Sequence, residues 1–176
     1  DENYIDEIYS EKKYKKIIGH RNFSPRIIEY ILEKDRVIDL AISKNNYFSY
    51  IEKSLDNPKD IWADYFEKIN LCTQKVIFLI TFNQSKISGD DLKAAYLNYI
   101  EKNKVEVSTE SSFGYVIKIA LNSLVVRNLD NNAYTYTLFN PSVGDYVLNE
   151  YFCNGEIEIT KLLLSLRSVE SLKYLV

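Results

Sequence analysis

Leu124-Val125-Val126-Arg127-Asn128-Leu129, then Asp130-Asn131-Asn132, then Ala133-Tyr134-Thr135-Tyr136-Thr137-Leu138-Phe139 is the stretch that decides the fold. On either side of the polar triplet the side chains alternate with period two, which places successive residues on opposite faces of an extended chain. Asp and Asn tolerate left-handed backbone and bond to their own main chain, so Asp130-Asn131-Asn132 reads as a turn. The spacing predicts two antiparallel strands over 124–129 and 133–139, closed as a hairpin.

Upstream of the hairpin the period is helical. Residues 72–82 form an apolar helix. Ser88-Gly89-Asp90-Asp91 resembles a capping box and opens a second helix with Leu92, Ala95, Tyr96, Tyr99 and Ile100 on one face. Residues 112–123 give a third, with Phe113, Val116, Ile117, Ala120 and Leu121 inward. Three helices followed by a β-hairpin describe a winged helix, so the expected fold class is mainly α. Beyond it, 158–166 and 168–175 read as short leucine-bearing helices, without the internal period of a repeat array.

The three prolines punctuate alike. Ser24-Pro25, Asn57-Pro58 and Asn140-Pro141 each pair a favoured N-cap with proline at the first helical position, where no N–H is needed. After Pro58, Ile61, Trp62, Tyr65, Phe66 and Ile69 form an apolar stripe, and Trp62 reads as a packing anchor rather than a ligand contact. Near the N-terminus, 4–18 reads as one lysine-rich amphipathic helix in which Ile5, Ile8, Lys12, Lys15 and Lys16 give a mostly polar surface. Residues 38–54 read as a further helical stretch interrupted near Asn45-Asn46.

The candidate site lies in His20-Arg21-Asn22-Phe23-Ser24-Pro25-Arg26-Ile27-Ile28-Glu29-Tyr30-Ile31. A polar loop enters a helix through Ser-Pro and places Arg26 in its first turn, beside the positive end of the helix dipole. Ile27, Ile28, Ile31 and Leu32 bury one face while Arg26 and Glu29 point elsewhere. Read from the residues alone, the competing account is a capped surface helix whose arginine is solvated or paired with Glu29.

"HRNFSPRIIEYI" resembles the segment that ends the ATPase core of STAND NTPases, in particular the bacterial group that includes antiviral defence proteins. It is also similar to the sensor-2 helix of AAA+ ATPases. Phe23-Ser24 stands where that pattern often has a smaller, glycine-containing turn. The segments "LDNPKDIW" and "FNPSVGDYVLNEY" resemble the boundaries of the winged helix that follows the lid in the same group, with Gly144 where arginine is usual. The resemblance covers about residues 15 to 152 and rests on the order of several motifs. It implies a helical lid subdomain over 1–56, a winged-helix domain over 57–152 and the start of a C-terminal helical region over 153–176. It further implies that Pro25 and Arg26 approach a bound nucleotide, with His20, Arg21 and Asn22 as neighbours. ATP with magnesium would be held by the parent protein, whose P-loop core and C-terminal sensor region are the implied partners, with homo-oligomerisation of the parent.

Composition bounds these readings. The 176 residues, 46% of them hydrophobic, suffice for a sizeable core. A net charge of −3 argues against nucleic acid as the principal partner. No apolar run reaches membrane-spanning length, and no secretory signal is visible. Cys72 and Cys153 have no CxxC companion, and with His20 as the sole histidine they read as buried free thiols of a reducing, cytoplasmic compartment, in preference to a disulfide or a zinc site. Methionine is absent even from position one, which reads as a portion of a longer protein.

No GxxxxGK[ST] phosphate loop occurs in the sequence. The chain by itself is therefore expected not to be an enzyme; its expected role is to couple the nucleotide state of its parent to conformational switching. The alternatives are a protein-interaction module or a DNA-binding winged helix. The latter has few cations, Lys118 on the third helix and Arg127 on the wing, while Lys12, Lys13, Lys15, Lys16 and Arg21 form a separate basic cluster.

Overall fold

Serine and asparagine side chains open helices throughout this chain. In the computed structural model the Ser24, Asn70, Ser88, Ser112 and Asn140 side chains each accept a backbone N–H from the first turn of the helix that follows, satisfying donors that the helix itself leaves unpaired. The structure describes residues 2–130, 132–152 and 159–166. Their contacts divide the chain into two units, Asp1–Ile61 and Trp62–Val176.

The first unit contains α1 (Glu2–Tyr9), α2 (Tyr14–Ile18), α3 (Pro25–Ile31), α4 (Lys34–Asp39) and α5 (Tyr47–Asp56), with 3-10 turns at Ser10–Lys12 and Lys44–Asn46. The single helix expected over 4–18 is instead broken. Glu11 and Lys12 adopt left-handed backbone, φ 52° and 58°, and the chain folds back so that Tyr14 meets Tyr9 with ring centroids 5.3 Å apart. The Lys13 ammonium donates to Glu7 at 2.6 Å across the break. This local packing outweighs the helical propensity of the lysine run. The stretch expected over 38–54 is interrupted near Asn45-Asn46 as anticipated, and again at Ala41, φ 50°.

α6 (Lys59–Lys68) starts one residue after Pro58, while Asn57 closes α5 through its N–H to the Lys53 carbonyl. The second unit then runs α7 (Leu71–Phe82), β1 (Lys86–Ser88), α8 (Gly89–Lys102), α9 (Phe113–Ser123), β2 (Val125–Asp130), β3 (Ala133–Leu138), α10 (Pro141–Val147) and α11 (Ile159–Leu163). The fold is mainly helical with one small antiparallel sheet, ordered β1-β3-β2. The hairpin pairs Val125 with Leu138 and Asp130 with Ala133. The order helix–strand–helix–helix–strand–strand is that of a winged helix.

β1 was not expected from the sequence, because three residues, Lys86-Ile87-Ser88, are too few to display an alternation. Its pairing with β3 sets Ile87 opposite Tyr136, both buried. α7 is the core element: from Val76 to Phe82 every side chain is buried, as the apolar character of all its faces requires. Trp62 is 1% exposed. A π-helical turn, Leu148–Phe152, extends α10 and sets Tyr151 against Phe66 and Phe78, at 5.5 and 5.1 Å between centroids. Cys72 is a half-buried free thiol. Cys153 and the helix expected over 168–175 lie outside the described residues.

Candidate functional site

The entry to α3 is built by a small hydrogen-bonded loop. The Ser24 hydroxyl accepts from the Ile27 N–H at 3.1 Å, Pro25 fills the first helical position, and the Ile28 N–H reaches the Ser24 carbonyl at 3.0 Å. Ile27 and Ile31 are fully buried one turn apart, so the helix is fixed by its apolar face and by its cap together.

His20 and Asn22 are brought together ahead of that cap. The imidazole Nδ1 accepts from the Asn22 N–H at 3.2 Å, so the proton of the neutral ring sits on Nε2, which faces the Asp56 carboxylate at 3.1 Å. The Asn22 side chain is 3% exposed and donates to the Leu55 carbonyl at 2.9 Å. Both residues thereby hold the loop to the last turn of α5, where the Leu55 carbonyl is one of the groups a helix end leaves without an intrahelical partner.

The remaining candidates point to solvent in different degrees. Arg21 and Pro25 are exposed, whereas Arg26 is half-buried and already engaged with a neighbour. Arg26 precedes Ile28 by two positions, about 200° around the helix. Arg26 and Ile28 therefore occupy opposite sides of α3.

Ile28 and Leu32 face an apolar groove of about 290 Å³ that the sequence did not single out. Its walls include Ile5 and Ile8 of α1, Ile17 of α2, Phe23 of the loop and Tyr47 of α5. Ile5 and Ile8, expected on a polar surface, thus contribute to an apolar one, because the break at Glu11 and Lys12 turns α1 and α2 toward each other. The i, i+3 pair of isoleucines was the signal that could have shown it. Burial pushes the Tyr47 hydroxyl above its ordinary titration range.

No family model, curated protein or solved structure compared with this chain matches it.

On the winged helix, the exposed positions of α9 are Gly114, Lys118 and Asn122. Arg127 stacks over the Tyr134 ring at 4.7 Å, and Lys86 is paired with Asp130 at 3.1 Å. These cations are few and partly neutralised, which leaves little of the counterion-release energy that duplex binding draws on. Among the described residues no group of three His, Cys, Asp or Glu side chains could hold a metal ion, and no helix is long and apolar enough to cross a membrane.

Proposed function

We propose that this chain is the helical lid and winged helix of a STAND-type NTPase, coupling the nucleotide state of its parent to a conformational or oligomeric switch in bacterial defence or signalling. The observation that carries the reading is the order of parts. A Ser-Pro-Arg helix entry in one unit is followed by a unit with winged-helix element order. Trp62, the last residue of one of the segments that resemble the family's winged-helix boundaries, donates within the second unit to Ser142 of the other.

On this reading, ATP and magnesium are held by a P-loop core elsewhere in the parent. The residues here fit a reporting role: the capped turn fixes the backbone from Ser24 to Arg26, and Arg26 sits on the side of α3 opposite its apolar groove. A charge-assisted contact from that guanidinium to phosphate would supply the differential energy that a two-state switch requires. His20 and Asn22 would act by holding the loop, through Asp56 and Leu55, rather than by touching nucleotide. A cytoplasmic location accompanies the reading.

The test compares the natural protein containing this chain with its Arg26→Ala variant. Wild type should bind ATP and change oligomeric state with nucleotide. The variant should lose that change while keeping its melting temperature. Nucleotide-dependent switching that survives Arg26→Ala would overturn the assignment of Arg26. Absence of nucleotide binding by the wild type would overturn the NTPase reading.

One observation favours protein interaction as the second reading over DNA binding. Leu129 and Tyr134 are directly opposed at the hairpin end and are 63% and 51% exposed, an apolar tip suited to another protein surface rather than to phosphates.

A further inference from the structure

We infer that the cleft between the α7–β1 turn and α10 binds an aliphatic cation, a guanidinium or ammonium group on a short alkyl stem. The cleft measures about 440 Å³ and lies wholly within the second unit. Its polar walls are Gln84, Ser85 and Asp145, and its apolar walls include Leu138 and Leu148.

Gly144 forms the floor. A Cβ there would stand 3.2 Å from Leu138 Cδ1 and 3.2 Å from Ser85 Oγ, so the missing side chain is what lets α10 pack closely against these two walls and sets them beside Asp145. The turn that presents the polar wall is held in an uncommon conformation, with Gln84 at φ 57° and Ser85 at φ 61°. Backbone of this kind persists where the surroundings over-determine it. Here the Ser85 N–H reaches the Thr81 carbonyl at 3.3 Å and the Leu138 N–H reaches the Ser85 carbonyl at 3.4 Å.

The charge of the occupant follows from what faces the space. Asp145 is exposed, and among the described residues its carboxylate has no ion pair. The Gln84 amide and Ser85 hydroxyl likewise have no side-chain hydrogen bond there, so their oxygens remain as acceptors. Thr81 belongs to the last turn of α7 and Pro141 to the first turn of α10, so the negative pole of one helix and the positive pole of the other both face the cleft and offset each other, leaving the Asp145 carboxylate to set its sign. The adjacent cation, Lys86, is drawn to Asp130 at 3.1 Å. Leu138 and Leu148 offer the apolar contact that an alkyl stem makes while its charged head stays polar.

The experiment is a titration of isotope-labelled protein with n-butylguanidinium and n-butylammonium, followed by amide chemical shifts, with the uncharged isostere n-butylurea alongside. Saturable shifts confined to Gln84, Ser85, Leu138, Gly144 and Asp145 are expected with the cations and not with the urea. Asp145→Asn, an exposed and conservative change, should weaken binding about tenfold, the loss of one charge-assisted contact. Gly144→Val, if folded, should abolish it. An equal response to n-butylurea, or affinity unchanged in Asp145→Asn, would overturn the assignment. A short arginine-containing peptide separates the sources: binding at least as tight as the free cation identifies a protein side chain as occupant, and exclusion of the peptide identifies a free small cation.

Discussion

The indole N–H of Trp62 donates to the Ser142 hydroxyl at 3.1 Å, joining positions 80 residues apart in sequence. Ser142 in turn donates to the Asn140 side-chain oxygen at 2.7 Å, and that same oxygen caps α10 by accepting the Ser142 N–H at 2.9 Å. All three residues are buried. A single polar chain within the second unit thus couples Trp62 of α6 to the start of α10.

Replacing Trp62 tests that coupling. Trp62→Phe keeps most of the ring but leaves the Ser142 hydroxyl without its donor, which should cost about 1–3 kcal/mol. Trp62→Ala should cost about 3–5 kcal/mol. Urea denaturation of both variants checks the order, and equal stability of Trp62→Phe and wild type would show that the hydrogen bond contributes nothing.

Asn22 is expected to behave as a structural residue and Arg21 as a surface one. Asn22→Leu removes the donor to the Leu55 carbonyl in a buried setting and should lower stability by about 1–3 kcal/mol. Arg21→Ala should change it by less than about 0.5 kcal/mol. Thermal or chemical unfolding of the two variants separates these outcomes.

Gly144 sets a packing limit on α10. Introducing valine there brings carbon within 3.2 Å of Leu138 and Ser85, and overpacking of this kind costs about 1–3 kcal/mol. Gly144→Ala should be milder, because the better helix propensity of alanine offsets part of the crowding. A melting temperature for Gly144→Val at or above wild type would contradict the contact.

Alkaline titration should report the buried phenols. Tyr96 is fully buried and donates to the Ser111 carbonyl at 2.7 Å; burial first, then the neighbouring Cys72, pushes its hydroxyl well above the usual tyrosine range. Burial and Tyr151 do the same to Tyr146. With folded values raised above unfolded ones, their contribution to stability is complete below about pH 10 and is lost as pH rises beyond it. Tyrosinate absorbance from these two residues should therefore emerge only with loss of the fold.

Acid should loosen the wing. The Lys86 ammonium, then the Thr135 hydroxyl, hold the Asp130 carboxyl below the usual carboxylate range. A depressed folded value contributes stability above the unfolded value, lost as pH falls through the folded one. The Asp130 carboxyl resonance should titrate below pH 3.8, and Lys86→Ala should move it up.

Much of this architecture was legible one residue type at a time. The Ser-Pro and Asn-Pro pairs marked helix starts because capping is a local chemistry, decided within three or four residues. The hairpin was legible for the same reason: alternation over 124–139 and a polar turn are properties of adjacent positions. β1 and the break at Glu11 and Lys12 were not, since each depends on a partner distant in sequence or on a backbone conformation that no glycine announces.

The candidate site divides in the same way. The sequence by itself determined a capped helix entry carrying Arg26, an apolar α7, a winged-helix order of elements and Trp62 as an anchor. Only the tertiary structure decided that His20 and Asn22 clasp the end of α5, that Ile5 and Ile8 line a groove, and that Gly144 packs against Ser85 and Leu138 in a cleft that Asp145 also lines. The physical reason is range. Caps and periodicities are fixed by the geometry of one chain segment, whereas hydrogen-bond partners and cavities arise where segments remote in sequence exclude water from each other.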